Sequence, residues 1–363
     1  MIGDENALKR FAIVVGWTAL LSLVLCGCDS WLDGSYVSVT PHLEQNILSR
    51  NEIVVASNYA EMRDSLADMI ETGATGGVLS LGEMEQSAAR EYMDTAVQYL
   101  RKNNPICAYA VESITYDIGS NREGTVIAYQ INYYHGRSEI LRIELANSSR
   151  DAKAEIADAL VDHDSSLVLR IKEYEAVDFT QMVHDYAHDH PDVVMEIPTV
   201  SVSIYPDTGK ERVVALSFTY ETSREVLLQM RKRVEQVFLS AELYVKGATQ
   251  VSDIYAQLYS FLMKRYDYTV ETSITPSYSL LLHGIGDSRA FANIYASMCR
   301  ESELDCKVIS GTKNGIPWCW NLVRLRDEYY HVDLLACEET GEFRMLESAD
   351  MAGYVWDYSA YGE

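Results

Sequence analysis

The chain has 363 residues, of which 48% are hydrophobic and 10% aromatic, and its formal net charge at pH 7 is −24. This length and composition predict two or three packed domains and exclude a globally disordered chain. The strong negative charge argues against a nucleic-acid-binding protein, because contacts with phosphate groups need a basic surface.

The N-terminal residues follow the pattern of a secretory signal. Lys9 and Arg10 precede an apolar run over residues 11–25, and this run is shorter than the roughly 20 residues that a membrane-spanning helix needs. A Leu-Cys-Gly-Cys sequence then ends at Cys28 and resembles a bacterial lipobox. Cys28 fits the lipidated position better than Cys26, because a small glycine directly precedes it.

These features predict a lipoprotein signal peptide over residues 1–27, lipidation of Cys28 and a tether over residues 28–42. A lipidated cysteine would hold the protein on the extracytoplasmic face of the cell membrane, with the lipid bilayer as its first partner. An uncleaved membrane anchor is the alternative interpretation of the same apolar run.

The remaining cysteines do not follow the pattern of a disulfide framework or a metal site. The chain has 7 cysteines, and loss of the signal together with lipidation of Cys28 leaves an odd number for the folded part. No Cys-x-x-Cys pair occurs, which argues against structural zinc. We therefore expect buried free thiols with at most one bridge, and we predict no cofactor.

The middle of the chain contains the same pattern twice. In each copy two helical segments precede a proline, Pro105 or Pro191, and two alternating strands follow it. The predicted helices cover residues 63–72, 88–102, 152–161 and 173–188. We predict two small α+β units, over residues 43–142 and 143–228. A two-stranded hairpin is marginal alone, so the copies are expected to pack together or share a sheet.

Three histidines lie near the end of the last of these predicted helices. His184 and His188 are four residues apart and share a helix face, a spacing that suits an ion such as zinc, and His190 follows them. Histidines are also common at helix C-termini, where the helix dipole favours positive charge. The first copy has no histidine at the equivalent positions. A solvated helix end and an acquired metal site are the alternatives, and no metal site is predicted.

Residues 229–363 predict one further domain. Two helical segments come first, and the second ends at Tyr266. A third helix is predicted over residues 288–301. Three antiparallel strands follow it, over residues 306–310, 318–326 and 328–335.

Three short blocks carry the chemistry of this domain. The first is a Gly-Asp-Ser that ends at Ser288, the second is a Trp-Cys-Trp-Asn that begins at Trp318, and the third is a Tyr-His-Val-Asp that ends at Asp333. Together they resemble the core of the transglutaminase-like, papain-related cysteine hydrolases. In that family a cysteine opens a helix, a His-Ala-Trp-Asn block lies on a strand, and a Tyr-x-Val-Asp block lies on the next strand. Aligned without gaps, the family cysteine falls on Ser288, the histidine on Trp318 and the aspartate on Asp333.

The resemblance implies an α+β core in which one helix packs on an antiparallel sheet, preceded by the two repeated units. It also implies that four side chains line the former cleft: Trp318, Trp320, Asn321 and Tyr330. The Trp318 ring would fill the space of the family imidazole. Cys319 points to the opposite face of its strand and is expected to be a buried thiol.

The replaced residues argue against the reaction of the family. Acyl transfer needs a thiolate whose pKa is lowered by a helix N-terminus and a neighbouring imidazolium, and Ser288 cannot supply one. Trp318 has an N–H donor but no basic lone pair, so it cannot take a proton from a nucleophile. Asp287 and Ser288 are also residue types that cap helices, which gives this pair a purely structural interpretation.

The sequence leaves one alternative base. His331 lies two residues before Asp333 and so on the same strand face, about 6–7 Å away. A Ser288–His331–Asp333 site would make the protein an active amide hydrolase or acyl transferase. Asp333 itself is retained either because its carboxylate caps local donors or because it serves catalysis.

The sequence thus predicts a membrane-anchored lipoprotein with a degenerate, catalytically inactive transglutaminase-like domain. Two roles remain for this domain: binding of a peptide or protein segment in the aromatic-lined former cleft, and a structural role as a surface module. How open the cleft is would separate these two roles. The active hydrolase that uses Ser288 is the alternative.

Overall fold

The computed structural model describes residues 53–269 and 273–361. The predicted signal peptide, Cys28 and the tether lie outside these residues. In the described part of the chain no helix is both long and apolar enough to span a membrane. The fold is α+β, as predicted, and it contains three four-stranded sheets with helices packed against them.

The first sheet lies within the first predicted unit. Its strands, in order across the sheet, are β1 (Val54–Val55), β2 (Gly76–Ser80), β4 (Gly124–Tyr133) and β3 (Val111–Asn121). β1 and β2 are parallel, and the other neighbours are antiparallel. The helices are α1 (Tyr59–Glu71), α2 (Gln86–Asn103) and α3 (Pro105–Ala110). Met62, Leu66 and Ile70 form an apolar stripe on α1 that is fully buried and holds this helix in the core.

The second sheet repeats this strand order and these directions. Its strands, in order, are β5 (Glu144–Ser148), β6 (Ser166–Glu173), β8 (Arg212–Thr219) and β7 (Thr199–Tyr205). β5 and β6 are parallel, and the remaining pairs are antiparallel. The short helix α4 (Arg137–Ile140) precedes this sheet, and its Ile140 packs in the core of the first unit. The helices of the second unit are α5 (Ala152–Val161) and α6 (Phe179–Asp189).

The predicted hairpins β3–β4 and β7–β8 are present, but each is only half of a sheet. The two extra strands of the first sheet escaped prediction because β1 is two residues long and β2 begins with two glycines, which have low strand propensity. The helix predicted over residues 173–188 is wrong at its start. Glu173 ends β6, and α6 begins only where the Asp178 carboxylate accepts the Gln181 N–H at 2.9 Å. The internal sequence repeat itself stays a prediction.

The last domain places a helical layer on one face of the third sheet. Its helices are α7 (Arg224–Val245), α8 (Val251–Met263), α9 (Pro276–His283) and α10 (Ser288–Glu301). The sheet has the strand order β13 (Glu328–Val332), β12 (Ile316–Leu325), β11 (Cys306–Lys313) and β14 (Tyr354–Val355). A short parallel pair, β9 (Asp267–Tyr268) and β10 (Ile285–Gly286), leads into α10. Because α7 starts at Arg224, the domain start predicted at residue 229 falls inside this helix.

α10 is the central helix of this domain. Eleven of its 14 residues are buried. They include the four at helical spacing: Phe291, Ile294, Tyr295 and Met298. The helix packs against β11 and β12 on one side and against α7 and α8 on another. The Tyr295 hydroxyl also donates to the Tyr255 carbonyl of α8 at 2.9 Å. This packing holds Ser288, the first residue of the helix, in a fixed position.

The chain leaves the third sheet earlier than predicted. β13 ends at Val332, and Leu335 belongs to helix α11 (Leu334–Thr340) rather than to a strand. The cause is Asp333, whose carboxylate accepts the N–H groups of Leu335 and Ala336 at 3.1 Å each and so caps the new helix. The strand predicted to end at residue 335 is therefore wrong at its end.

The C-terminal tail covers the face of the sheet that α10 does not cover. Met351 and Trp356 from the tail are buried there against Ile309, Trp320 and Leu322. The rings of Trp320 and Trp356 meet edge to face, with centroids 5.6 Å apart. The sheet is thus covered on both faces, by α10 on one and by the tail on the other.

Candidate functional site

Ser288 lies at the position of the family cysteine and is tied to the neighbouring strand. The Asp287 carboxylate caps α10 by accepting the Ala290 N–H at 2.9 Å, which is the predicted capping role. Ser288 is only 8% exposed. Its hydroxyl oxygen accepts the backbone N–H of Cys319, on β12, at 3.3 Å.

Asp333 is 5% exposed and receives five hydrogen bonds. Its Oδ1 accepts two backbone N–H groups at the start of α11. Its Oδ2 accepts the Trp318 indole N–H at 3.0 Å, the Lys313 ammonium at 3.1 Å and the Tyr354 hydroxyl at 2.6 Å. A buried carboxylate is stable only when its charge is paired and its oxygens are hydrogen-bonded, and both conditions hold here.

Trp318 occupies the position of the family histidine. In the family the aspartate orients an imidazole, and here the indole N–H of Trp318 points at Asp333 in its place. The Lys313 ammonium lies 5.1 Å from the centroid of the indole ring, and the Tyr268 ring lies 5.5 Å from it. The indole therefore preserves the donor that faces Asp333 but supplies no basic nitrogen.

Tyr354 and Lys313 lie outside the three sequence blocks and complete this cluster. Burial and the hydrogen bond to Asp333 raise the pKa of the Tyr354 hydroxyl far above its usual range, so this group stays protonated and keeps donating. The ammonium of Lys313 balances the charge of the Asp333 carboxylate. In this cluster the charges of Asp333 and Lys313 balance, and the carboxylate oxygens are hydrogen-bonded. The cluster therefore contains no group that is free to accept or donate a proton in a reaction.

His331 lies on the opposite face of the sheet from α10. Along β12, Asn321 faces α10 and donates to a carbonyl of that helix at 2.8 Å, whereas Trp320 faces the tail. His331 pairs in register with Leu322, which is also on the tail face. Ser288 belongs to α10, so the sheet separates it from the His331 ring.

The His331 ring is fully buried and held by two partners on the tail face. Its Nδ1 accepts the Trp320 indole N–H at 3.0 Å, and its Nε2 lies 3.2 Å from the Ser348 hydroxyl. Nδ1 can accept only if the proton is on Nε2, which assigns the tautomer from the hydrogen-bond network. The structure does not bring His331 and Ser288 together, so the alternative Ser288–His331–Asp333 site is not assembled.

The four residues predicted to line the former cleft do not form an open groove. Trp320 and Asn321 are fully buried, and Trp318 is partly buried beside Asp333. The Tyr330 ring is half-buried, and its hydroxyl donates to the Glu328 carboxylate at 2.6 Å. The expectation of an aromatic-lined cleft fails because each face of β12 is covered, by α10 on the Asn321 side and by the tail on the Trp320 side.

An open cavity of about 460 Å³ lies instead between α6 and the start of α10. Its polar lining consists of Gln181, His184, Asp185 and His188 from α6, Asp287, Arg289 and Asn293 at α10, and Ser273 before α9. The apolar part of its lining includes Ile197, Pro276 and Ile285. Both chain neighbours of Ser288 line this cavity, so it opens directly beside the position of the family nucleophile.

His184 and His188 share the helix face that borders this cavity, as their spacing predicted. The Nδ1 of His188 lies 3.4 Å from the Asn293 side-chain nitrogen, and burial lowers the pKa of His188 to about 4. His190 stacks on Tyr186 with ring centroids 4.2 Å apart. Within the described ranges, no three His, Cys, Asp or Glu side chains are placed to hold a metal ion.

The sequence profile of the Transglutaminase-like superfamily matches residues 239–334. The chain contains a transglutaminase-like domain. The matched range includes Ser288, Trp318 and Asp333, which are the three positions aligned with the family's cysteine, histidine and aspartate. No curated protein matches the chain significantly.

Solved structures similar to this chain are distant from it. A TGase crystal structure has 8% identity and a TM-score of 0.27, with 53% of this chain and 58% of that one covered. A putative cysteine protease from Cytophaga hutchinsonii has 10% identity and a TM-score of 0.27, with 44% of this chain and 70% of that one covered. A putative protease from Parabacteroides distasonis has 8% identity and a TM-score of 0.23, with 58% of this chain and 46% of that one covered. This chain thus spans little more than half of the TGase.

Sequence reasoning located the three blocks of the transglutaminase-like domain but missed two side chains that contact Asp333. Trp318 and Asp333 are in direct contact, and Ser288 contacts the strand that carries Trp318. Lys313 and Tyr354 were missed because the first precedes a tight turn and the second lies in the tail, where no local pattern indicates a contact with Asp333. The one sequence signal for the cavity was the spacing of two histidines on α6.

Proposed function

We propose that the protein is a binding module without acyl-transfer activity, anchored to the extracytoplasmic face of the cell membrane through Cys28. The observation that carries this proposal is the hydrogen bond from the Trp318 indole to Asp333. An indole stands where the family base would face its aspartate. The transglutaminase-like frame is retained in shape while its proton-transfer chemistry is lost.

The nucleophile position lacks a base. Among the described residues, the hydrogen bond of the Ser288 side chain is to the backbone N–H of Cys319, which can only donate. A serine hydroxyl attacks poorly unless a base takes its proton. The Cys319 thiol is no substitute, because burial raises its pKa and its Sγ lies 3.6 Å from the Ser310 hydroxyl.

The geometry gives no support to an active amide hydrolase that uses Ser288, His331 and Asp333. Trp320 and Ser348 hold the His331 ring on the tail face. Both oxygens of Asp333 are occupied by other donors. This candidate would need the imidazole to cross the sheet, which the packed core on both faces opposes.

The cavity beside α10 favours a binding role over a purely structural one. Its volume of about 460 Å³ is within the range of roughly 300–1,000 Å³ that is typical of ligand sites. Its lining combines donors and acceptors with an apolar surface of similar extent, which suits a peptide or protein segment better than a purely apolar ligand. The expected binding site therefore moves from the former cleft to this neighbouring cavity.

Covalent labelling tests the absence of catalysis. The full chain is treated at neutral pH with a serine-directed fluorophosphonate and with iodoacetamide, native and denatured, and adducts are mapped by mass spectrometry. We expect no native-selective adduct on Ser288. We expect the four buried cysteines of the described residues to react only after denaturation: Cys107, Cys299, Cys319 and Cys337. A native-only fluorophosphonate adduct on Ser288 would overturn the proposal.

A restored site provides the matched positive control. The S288C/W318H double variant returns the family cysteine and histidine to the retained Asp333. We expect iodoacetamide to modify position 288 at least tenfold faster in the double variant than in S288C alone, because only the former has an imidazole to stabilise the thiolate. Equal rates in the two variants would show that the frame no longer aligns these positions.

The membrane anchor is tested on the N-terminal peptide of the protein purified from membranes. We expect a mature chain that begins at Cys28 and carries acyl chains, seen by mass spectrometry. A Cys28→Ala variant should keep its signal peptide uncleaved. An unmodified Cys28 in the wild-type protein would refute the lipoprotein assignment without affecting the assignment of the fold.

A further inference from the structure

We propose that the cavity between α6 and the start of α10 binds the carboxylate of a peptide, with Arg289 as the ion-pair partner. This inference rests on the binding role proposed above and names the chemistry of the ligand. The carboxylate belongs either to a C-terminus or to an acidic side chain, and the test below distinguishes these two sources.

Arg289 is available to such a ligand. Its side chain is exposed at the cavity, and it has no ion pair or hydrogen bond within the described ranges. Arg300, at the other end of the same helix, is engaged with the Asp192 carboxylate at 3.0 Å and with the Asp189 carbonyl at 2.9 Å. A guanidinium presents parallel N–H donors that match a carboxylate, which makes Arg289 the natural anion partner in this lining.

Two further features favour an anion next to Arg289. The 14-residue helix α10 starts here, so the positive end of its dipole faces this part of the cavity. His188 is neutral at pH 7, and its Nδ1 accepts from Asn293, so its Nε2 carries a proton that it can donate. His184 lines the same wall and adds a second imidazole.

The two carboxylates in the lining are already oriented by the protein. Asp287 caps α10, and Asp185 accepts a hydrogen bond from the Gln181 side chain at 2.7 Å. Their free lone pairs are acceptors for N–H groups. A lining that offers donors at Arg289 and acceptors at Asp185 and Asp287 matches a peptide, which has both kinds of group, better than an inorganic anion.

A buried hydroxyl behind the cavity provides an independent observation. Ser277 is 1% exposed, and its Oγ has no hydrogen-bond partner in the described part of the chain. It borders a smaller cavity that shares four lining residues with the larger one: His188, Pro276, Ala290 and Asn293. An unpaired buried hydroxyl is costly, and the smaller cavity, of about 10 Å³, has room for one water-sized polar group that would satisfy it.

The test uses N-acetyl-alanyl-glutamate as the probe and the full chain in detergent micelles, with affinity measured by calorimetry. We expect the wild-type protein to bind this probe and R289L to bind it at least tenfold more weakly, because a charge-assisted bond is lost. The R122L variant, which removes an exposed arginine at the β3–β4 turn, should bind within twofold of the wild type. Circular dichroism and melting curves show whether each variant is folded.

Two modified probes identify the source of the carboxylate. Amidation of the C-terminus removes one carboxylate, and replacement of glutamate by glutamine removes the other. We expect one of these changes to weaken binding as much as R289L does. Equal binding of a probe with neither carboxylate, unchanged affinity in R289L, or no binding of any probe by the wild type would overturn the proposal. Labelling at Ser288 is a separate readout, so a failure here is distinguishable from a failure of the proposed lack of catalysis.

Discussion

The carboxylate of Asp333 connects strand β11, strand β12, helix α11 and the tail, so its removal should destabilise the whole last domain. Removing one member of a buried ion pair costs about 3–5 kcal/mol, and loss of a helix N-cap costs about 1 kcal/mol. We expect D333A to lower the free energy of unfolding by about 4 kcal/mol. D333N can still cap α11, but its amide replaces an acceptor with a donor opposite Lys313, Trp318 and Tyr354, so we expect a loss of about 3 kcal/mol.

The assay is urea unfolding followed by tryptophan fluorescence. Trp318, Trp320 and Trp356 all lie in the last domain, so their signal reports on its unfolding. The matched control is D178N, because Asp178 is also an N-cap residue but is exposed, and within the described part of the chain its carboxylate accepts the Gln181 N–H alone. We expect D178N to change the free energy of unfolding by no more than about 0.5 kcal/mol.

A double-mutant cycle with Lys313→Met isolates the ion pair. K313M alone should cost about 3 kcal/mol, because it leaves a buried carboxylate without its charge partner, although four hydrogen-bond donors remain. K313M should cost nothing further in the D333N background, where the ammonium has lost its partner. If D333N is no more destabilising than D178N, or if the effects of D333N and K313M simply add, the reasoning that Asp333 is a structural hub is refuted.

Three other perturbations test the packing described above. Burial lowers the pKa of His163 to about 4, so between about pH 6.5 and pH 4 the unfolded state binds more protons than the folded state. The free energy of unfolding should therefore fall by at most about 3 kcal/mol as the pH drops through this window. Urea titrations of H163N over the same pH range should show a smaller fall. Burial raises the pKa of the Cys107 thiol to about 11, so iodoacetamide at pH 8 should modify it more than tenfold more slowly in the native than in the denatured protein, and equal rates would contradict its burial. A Cβ at Gly311 would collide with the Val355 carbonyl and the Trp320 ring, so G311A should lower the free energy of unfolding by about 2 kcal/mol or more. The control is G247A, which should change this free energy by less than about 0.5 kcal/mol because a Cβ there meets nothing within 4 Å.

The sequence predicted those parts of the domain that depend on local spacing. The apolar residues of α10 recur at helical intervals, and a helix start is marked at Asp287 by a residue type that caps well, so both the helix and its first residue were predictable. The alignment of Trp318 and Asp333 with the family was predictable for a similar reason, since Trp318 lies on β12 and Asp333 directly follows the neighbouring strand β13.

The sequence did not predict the contacts that depend on which helix or tail segment covers each face of the third sheet. Alternation along β12 puts Trp318 and Trp320 on one face, but it does not show that Trp318, near the start of the strand, also packs against the helical core. Nor does it show that the tail returns to bury Trp320 and to bring Tyr354 to Asp333. The alternative in which His331 serves as a base depends on the same unseen packing. Its place on the strand was right, but the helix that carries Ser288 packs on the other face.

The retained aspartate therefore has a structural explanation that does not require catalysis. The indole of Trp318 donates to Asp333 where the family's imidazole would face it, so replacement of the base left the carboxylate partnered. The Lys313 ammonium then balances its charge, and α11 uses its other oxygen as a cap. Loss of the carboxylate would leave several buried donors unsatisfied, which is a structural reason for an aspartate at this position. An acid at the family's aspartate position is evidence of catalysis only when its partner can accept a proton, and the indole of Trp318 cannot.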